Sequence, residues 1–263
     1  MRWIVALRRL NYIRKFRRRH QGTPVPSEII YYLHIGKTGG TFFKSTVKDF
    51  DNLGQEPVLM IPLGHNLKHQ HLPKESRYIF ATRDPMTRFV SGFLSRQRRV
   101  AESPSKRKWG ERRAFATFPT PNALAEGLSA QDVTARRAAE AAMRAIRHVN
   151  EPHSLWFPDR DRLADDIANG RVFRLRQEHL NADMRAILDA IGFDVAPEKL
   201  EARPRAHVAP EVRAQGKNAK EENASLLSPQ AQENLRVYYA DDFAFLAWLD
   251  SEGLVGASAL PYP

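Results

Sequence analysis

Apolar residues occur in short runs separated by stretches with helical periodicity. Four runs rich in β-branched and aromatic residues are typical of buried strands: 29–35, 58–63, 77–82 and 171–175. Between and after them, the spacing of apolar residues predicts helices: 40–51, 85–100, 122–149, 179–191 and 228–249. Strands that alternate with helices indicate an α/β fold, in which a parallel sheet is covered by helices on both faces.

The helix after the third strand has a clear start. Asp84 can cap it, and Pro85 suits its first turn. In parallel sheets, ligands bind at the carboxyl ends of the strands. The loops after the first three strands are therefore where functional residues are expected.

The loop after the first strand, "HIGKTGGT", has the composition of an anion-binding turn. Its two glycines permit backbone conformations that direct several N–H groups into one concavity. The following helix adds the positive end of its dipole, the lysine adds a mobile charge, and the threonines add hydroxyl donors. The residues concerned are Lys37, Thr38, Gly39, Gly40 and Thr41.

This loop is shorter than those that bind nucleoside triphosphates. Tyr31 stands where that motif has its first glycine. The loop therefore predicts one phosphate or sulfate-like group rather than two or three. The alternative interpretation is a plain Gly-Gly turn with no ligand.

A second anion site is predicted after the third strand, in "YIFATRDPMTRFVSGF". Arg83 follows that strand, and Ser91 lies eight residues on, in the next helix. An arginine fork and a hydroxyl that converge there would hold a separate phosphate. The alternative is a surface contact between Arg83 and Asp84 beside a capped helix. Together, the two loops fit a nucleotide that is phosphorylated at two separate places.

Positive charge is concentrated at the N-terminus. The net charge is +11, and residues 1–20 carry eight Lys/Arg and no acid, which leaves 11 − 8 = +3 for the rest. Apolar residues recur there at helical spacing: Trp3, Leu7, Leu10, Ile13 and Phe16. A basic amphipathic helix of this kind suits peripheral binding to an anionic membrane, and a solvated basic arm is the alternative. The apolar run is too short to span a bilayer.

Composition excludes several classes of site. The 263 residues include no cysteine, so disulfides, thiolate metal sites and a cysteine nucleophile are absent. Because aromatic residues are not interleaved with the basic ones, we expect no nucleic-acid partner. The basic, Ser/Pro-containing cluster at 96–113 is predicted to be a loop, either simply solvated or attractive to an anionic substrate. We expect a cytoplasmic protein, peripheral on the inner face of the membrane if residues 1–20 bind it.

"HIGKTGGT" followed by "TRDPMTRFVSGF" resembles the sulfotransferases that use 3′-phosphoadenosine 5′-phosphosulfate (PAPS), specifically the carbohydrate branch related to heparan sulfate 2-O-sulfotransferase. Members of that branch carry H-x-P-K-T-G-G-T after a strand and later R-D-P-x-x-R-F-x-S-x-F/Y. Gly36 stands here in place of the usual proline. Later segments are similar more weakly, and "VNEPHSLWF" (149–157) lacks the family's proline-glutamine.

The resemblance implies a P-loop-like three-layer fold and three segments: a basic arm (1–25), a sulfotransferase domain (26–250) and a tail (251–263). It implies that Lys37, Thr38, Gly39, Gly40 and Thr41 bind the 5′-phosphosulfate of PAPS, and that Arg83 and Ser91 bind the 3′-phosphate. It also implies a carbohydrate or glycolipid acceptor. Because the transferring group carries only one negative charge, we expect no metal. We expect variable loops such as 96–121 and 200–225 to form the acceptor pocket.

Transfer to a sugar hydroxyl needs a base, and histidine titrates close to neutrality. His65 follows Gly64 directly after the second strand, where the family places a Gly-His whose histidine is the base. His65 is therefore the candidate base, with Lys37 stabilising charge on the leaving group. A structural histidine is the alternative reading. The other candidates are His34, His153, and the His69/His71 pair, whose spacing suggests a metal but which lacks a partner cluster.

Two other functions remain open from the residues. A small-molecule kinase would use the first loop for ATP. That function requires a leading glycine in the loop and an aspartate that ends a buried strand, and neither is in place here. A non-catalytic basic protein that binds membrane or nucleic acid would explain residues 1–20. Deleting those residues would abolish binding by such a protein and leave the nucleotide affinity of an enzyme unchanged.

Overall fold

The computed structural model describes residues 1–50, 58–102, 109–192 and 226–254, without the side chains of 48–50. The expected loop 200–225, part of the cluster 96–113 and most of the tail 251–263 therefore lie outside the described residues. By its contacts the chain divides into two units. The first comprises 1–82, 153–206 and 246–263, and the second comprises 83–152 and 207–245.

The first unit is built on a parallel sheet of four strands in the order β2-β1-β3-β4. The strands are β1 (Glu28–Leu33), β2 (Val58–Pro62), β3 (Arg77–Thr82) and β4 (Val172–Arg176). Pairing joins Tyr32 to Pro62 across β1 and β2, and Tyr31 to Tyr78 across β1 and β3. The expected parallel sheet is confirmed, and each strand lies within two residues of its predicted bounds.

Helices cover this sheet on both faces. On one face, α2 (Gly40–Phe50) and α8 (Leu180–Ala190) pack with alternate strand residues into a buried cluster that includes Phe43 and Ile187. On the other face, the ring of Phe80 contacts Phe157, and α7 (Arg160–Ala168) supplies a buried carboxylate that Tyr78 reaches. The three-layer α/β arrangement expected from the sequence is confirmed.

The N-terminal helix α1 (Arg2–Arg19) lies against the edge strand β2. Val5 and Phe16 are buried, and Nη1 of Arg8 donates to the carbonyl oxygen of Pro62 at 3.1 Å. The apolar residues on the remaining surface, Trp3, Leu7 and Leu10, are exposed. The stripe expected to lie on one face is therefore divided between the core and solvent, because Phe16 turns inward.

The second unit is helical. It contains α3 (Pro85–Glu102), α4 (Trp109–Thr117), α5 (Pro121–Gly127), α6 (Val133–Ala145), α9 (Pro229–Tyr238) and the first half of α10 (Ala240–Ser251). They share a core in which Phe89, Phe93, Leu124 and Leu235 are buried.

Four predictions about helices were wrong in detail. The span 122–149 is two helices, since α5 ends at Gly127 and Asp132 caps α6 by accepting from two backbone N–H groups. The span 228–249 divides at Tyr239. Helix α7 was missed. The cluster 96–113, predicted as a loop, belongs largely to α3 and α4, where Arg96 and Glu111 form a buried ion pair.

Candidate functional site

The loop between β1 and α2 has the unusual backbone that its sequence suggests. Lys37 has a φ of 68° and Gly39 a φ of 95°. A positive φ is rare for a residue with a side chain, and such strained positions are concentrated at binding sites. Thr38 is buried, and its Oγ1 donates to the carbonyl oxygen of Ile35 at 3.0 Å, which holds the turn closed.

The two glycines of this loop have no room for a side chain. A Cβ on Gly40 would lie 2.1 Å from Nε2 of His34, and one on Gly39 would lie 2.5 Å from Oε1 of Gln177. Gly40 begins α2, so the first N–H groups of that helix and its positive dipole end belong to the same turn. This is a cradle of backbone donors that fits a phosphate or sulfate-like group.

Gln177 was not anticipated from the sequence. Its Oε1 is buried and accepts no hydrogen bond from any residue that the structure describes. The preceding Arg176 is fixed by Asp183, whose carboxylate accepts from the Arg176 backbone N at 2.7 Å and from Nε at 2.9 Å. The available signal was position, because Gln177 directly follows β4 and so lies at the carboxyl edge of the sheet.

The structure brings His65 together with His34. The centroids of the two imidazole rings lie 3.8 Å apart, with the ring planes inclined by 35°. Their positions follow from the pairing of β1 with β2, which continues as the backbone N–H of Leu63 donates to the carbonyl oxygen of Tyr32 at 2.9 Å. His34 is 8% exposed and contacts Gly40, whereas His65 is half-buried.

Arg83 and Ser91 are described within the second unit. Nε of Arg83 donates to Oγ1 of Thr87 at 3.1 Å, and Asp84 caps α3 by accepting from the backbone N–H of Thr87 at 2.8 Å. Thr87 and Ser91 are four residues apart on α3 and so lie on one face. Thr87 was missed from the sequence, although this spacing was visible there.

A family model described as "Sulfotransferase family" matches residues 25–248. The chain belongs to the sulfotransferase family. The match covers the loop at Lys37–Thr41, His65, Arg83 and Ser91, and it begins after the end of α1. It is a match to the family as a whole and does not distinguish the branch related to heparan sulfate 2-O-sulfotransferase. Neither curated proteins nor solved structures gave a significant match.

The other candidate bases of this sulfotransferase have structural surroundings. His69 is fully buried, and its Nε2 lies 2.8 Å from Oδ2 of Asp166. Nδ1 of His71 accepts from the backbone N–H of Lys68 at 2.8 Å. His153 is fully buried. In the described part of the chain, no three histidine or acidic side chains are grouped so as to hold a metal ion.

Asp166 is the centre of a polar cluster between α7 and β3. Burial raises the pKa of this carboxyl, but the hydrogen bonds and charges of His69 and Arg171 outweigh that effect and lower its pKa overall. Arg171 Nε donates to Oδ1 at 2.8 Å. The cluster stabilises the sheet from the face opposite α2.

Among the helices that the structure describes, none has the length and apolar character of a membrane-spanning segment.

Proposed function

We propose that this sulfotransferase moves the sulfuryl group of PAPS to a hydroxyl of a carbohydrate or glycoconjugate, with His65 as the base. The observation that carries the proposal is the contact between the ring of His65 and that of His34, which itself packs against Gly40 of the anion cradle. A proton acceptor at this place lies beside the loop that would hold the transferring group.

The donor would be held by two sets of residues. The backbone N–H groups of the turn, with Lys37, Thr38 and Thr41, suit the 5′-phosphosulfate, because Gly39 and Gly40 let the backbone turn where a Cβ would meet Gln177 or His34. Arg83 suits the 3′-phosphate. Thr87 orients its guanidinium, and Ser91, one turn further along α3, supplies a hydroxyl.

The transfer is a single in-line displacement. The acceptor oxygen forms a bond to sulfur while the bond from sulfur to the bridging oxygen breaks, and the electron pair stays on the departing phosphate. His65 takes the proton from the acceptor hydroxyl. Lys37 and the N–H groups at the start of α2 stabilise the negative charge that grows on the bridging oxygen.

His34 has a positioning role in this scheme. It is nearly buried between the cradle and His65, so its ring sets the distance from the base to the loop. The sequence alone left His34 as an alternative base. Its low exposure favours His65 for contact with an acceptor, because His65 is the more accessible of the two rings.

Family membership argues against the kinase that the first loop also allowed. The carbohydrate acceptor rests on the resemblance to the heparan sulfate 2-O branch. The test is to incubate the protein with PAPS and a panel of glycans and to follow a gain of one sulfate by mass spectrometry. Transfer to a glycan hydroxyl is expected, and loss of PAPS without any sulfated product would contradict the proposal.

A further inference from the structure

A basic cleft of about 400 Å³ lies between α1, α2 and the end of β2. Its volume falls in the roughly 300–1,000 Å³ range that is typical of small-molecule sites. Cationic side chains from two helices line it: Arg8, Lys15, Arg19 and Lys44, with His20 beside them. Among the lining residues that the structure describes there is no carboxylate.

The cations of this cleft come from one face of α1. Arg8, Tyr12, Lys15, Phe16 and Arg19 recur at spacings of three or four residues, which places them on one side of a helix. Other basic residues of the same helix, such as Arg14 and Arg18, do not line the cleft. The concentration of charge in the cleft is therefore a property of this face and not of the whole helix.

Like charges in one cleft repel each other, and burial adds to the cost of keeping them charged. Burial, followed by the charge of Arg8, lowers the pKa of Lys44. A cleft lined by one sign of charge also focuses its field on a ligand of opposite charge. An anionic ligand would offset the repulsion.

The cleft ends at Gly64, the residue before the candidate base. Nη1 of Arg8 donates to the carbonyl oxygen of Pro62, and a Cβ on Gly64 would lie 3.3 Å from Nη2 of the same guanidinium. Gly64 lines the cleft and immediately precedes His65. A ligand that fills the cleft therefore reaches Gly64, the residue that precedes the one proposed to take a proton from the acceptor.

We infer that this cleft binds the acceptor, and that the acceptor carries acidic groups, carboxylate or sulfate, near the hydroxyl that is sulfated. The inference rests on the proposed function. Helix α1 precedes the residues matched by the family model. Lys15 and Arg19 bind the acidic groups, and Arg8 holds the end of the cleft against Gly64.

The test compares two double variants of the same helix. Lys15→Ala/Arg19→Ala removes two cations from the cleft, and Arg14→Ala/Arg18→Ala removes two from the exposed surface, so both lower the net charge by two. The probes are a glucuronic acid-containing oligosaccharide and the same oligosaccharide after reduction of its carboxyl groups to alcohols. Binding is measured by calorimetry in the presence of adenosine 3′,5′-bisphosphate, and turnover is measured with PAPS.

The cleft variant should bind the acidic oligosaccharide at least tenfold more weakly than the wild type, which is about the effect of losing one charge-assisted hydrogen bond. Its KM for the same oligosaccharide should rise by a similar factor. The control variant should stay close to the wild type. The carboxyl-reduced oligosaccharide should bind weakly to all three proteins. Bisphosphate affinity should be unchanged throughout, because the donor residues are elsewhere.

Equal losses in the two variants, no binding of the acidic probe, or equal use of acidic and reduced probes would overturn the inference. So would a cleft variant that loses only its affinity for anionic lipid vesicles. These outcomes are separate from a failure of the proposed function. That failure would appear as no sulfate transfer to any glycan, while the binding comparison would still report on the cleft.

Discussion

The imidazole rings of His34 and His65 lie with their centroids 3.8 Å apart, although 30 residues separate them in the chain. One ring is nearly buried against the anion cradle and the other is half-buried. This arrangement assigns different tasks to the two histidines, and mutation can separate them.

His65→Ala should lower turnover by ~10²–10⁴-fold, the usual cost of losing a general base, and leave bisphosphate affinity nearly unchanged. His34→Ala should weaken bisphosphate binding as well, because the ring packs on Gly40. His71→Ala is the control, since Nδ1 of its ring accepts from the backbone N–H of Lys68. Steady-state kinetics and calorimetry check the three variants. Near-normal turnover in His65→Ala would show that another residue is the base.

Gly39→Ala should abolish most nucleotide binding. The substitution combines a strained positive φ with a Cβ that would meet Gln177. Gly170→Ala is the matched control, because it has a φ of 65° but no neighbour within 4 Å of the added Cβ. Each variant should lose roughly 1–2 kcal/mol of unfolding free energy from backbone strain. If both bind the bisphosphate normally, the glycines are not part of the donor site.

Arg83→Ala should cost about 1.5–3 kcal/mol of affinity for adenosine 3′,5′-bisphosphate, as expected for a charged hydrogen-bond partner. Affinity for AMP should hardly change, since AMP lacks the 3′-phosphate. Arg98→Ala, an exposed position on α3, is the control. Calorimetry with both nucleotides gives the comparison. An equal loss of affinity for AMP would show that Arg83 supports the fold or contacts the 5′-phosphate, and does not bind the 3′-phosphate.

Asp166→Asn should lower the free energy of unfolding by about 3–5 kcal/mol at neutral pH, because His69 and Arg171 lose their buried carboxylate partner. Glu233→Gln is the control: it removes an exposed ion pair with Arg236 and should cost less than about 1 kcal/mol. Urea unfolding measures both.

The pH dependence of the Asp166 effect has a definite sign. The folded-state pKa of Asp166 is below its ordinary value, so its stabilisation is fully present above the unfolded pKa, about 3.9. That stabilisation is lost as the pH falls through the lower folded-state value. The difference between wild type and Asp166→Asn should therefore shrink below about pH 4. A difference that grows in acid would contradict this assignment.

Residues 1–20 are proposed to bind anionic membranes peripherally through the exposed face of α1. Trp3 is 65% exposed, and Leu7 and Leu10 are about half exposed. Trp3→Ala/Leu7→Ala should reduce flotation with anionic liposomes, and added salt should weaken it further by screening. Val237→Ala, which removes an exposed apolar side chain elsewhere, is the control. Equal flotation with neutral and anionic liposomes would contradict the proposal that α1 binds anionic membranes.

The sequence by itself determined the strands, the parallel sheet and the glycine-containing turn after β1. Each depends on local chemistry: β-branched and aromatic runs form strands, Gly39 supplies a positive φ, and Asp84 caps α3. The boundary between α5 and α6 was also local, since Gly127 and Asp132 mark it, but the apolar periodicity on either side concealed it.

Only the tertiary structure decided which distant residues share a site. His34 meets His65 because β1 pairs with β2, and Gln177 reaches Gly39 because β4 ends at the same edge of the sheet. The buried face of α1 was decided by packing as well. Apolar residues occur around the whole helix, and it is contact with β2 that buries Val5 and Phe16, exposes Trp3 and turns Arg8 toward Gly64.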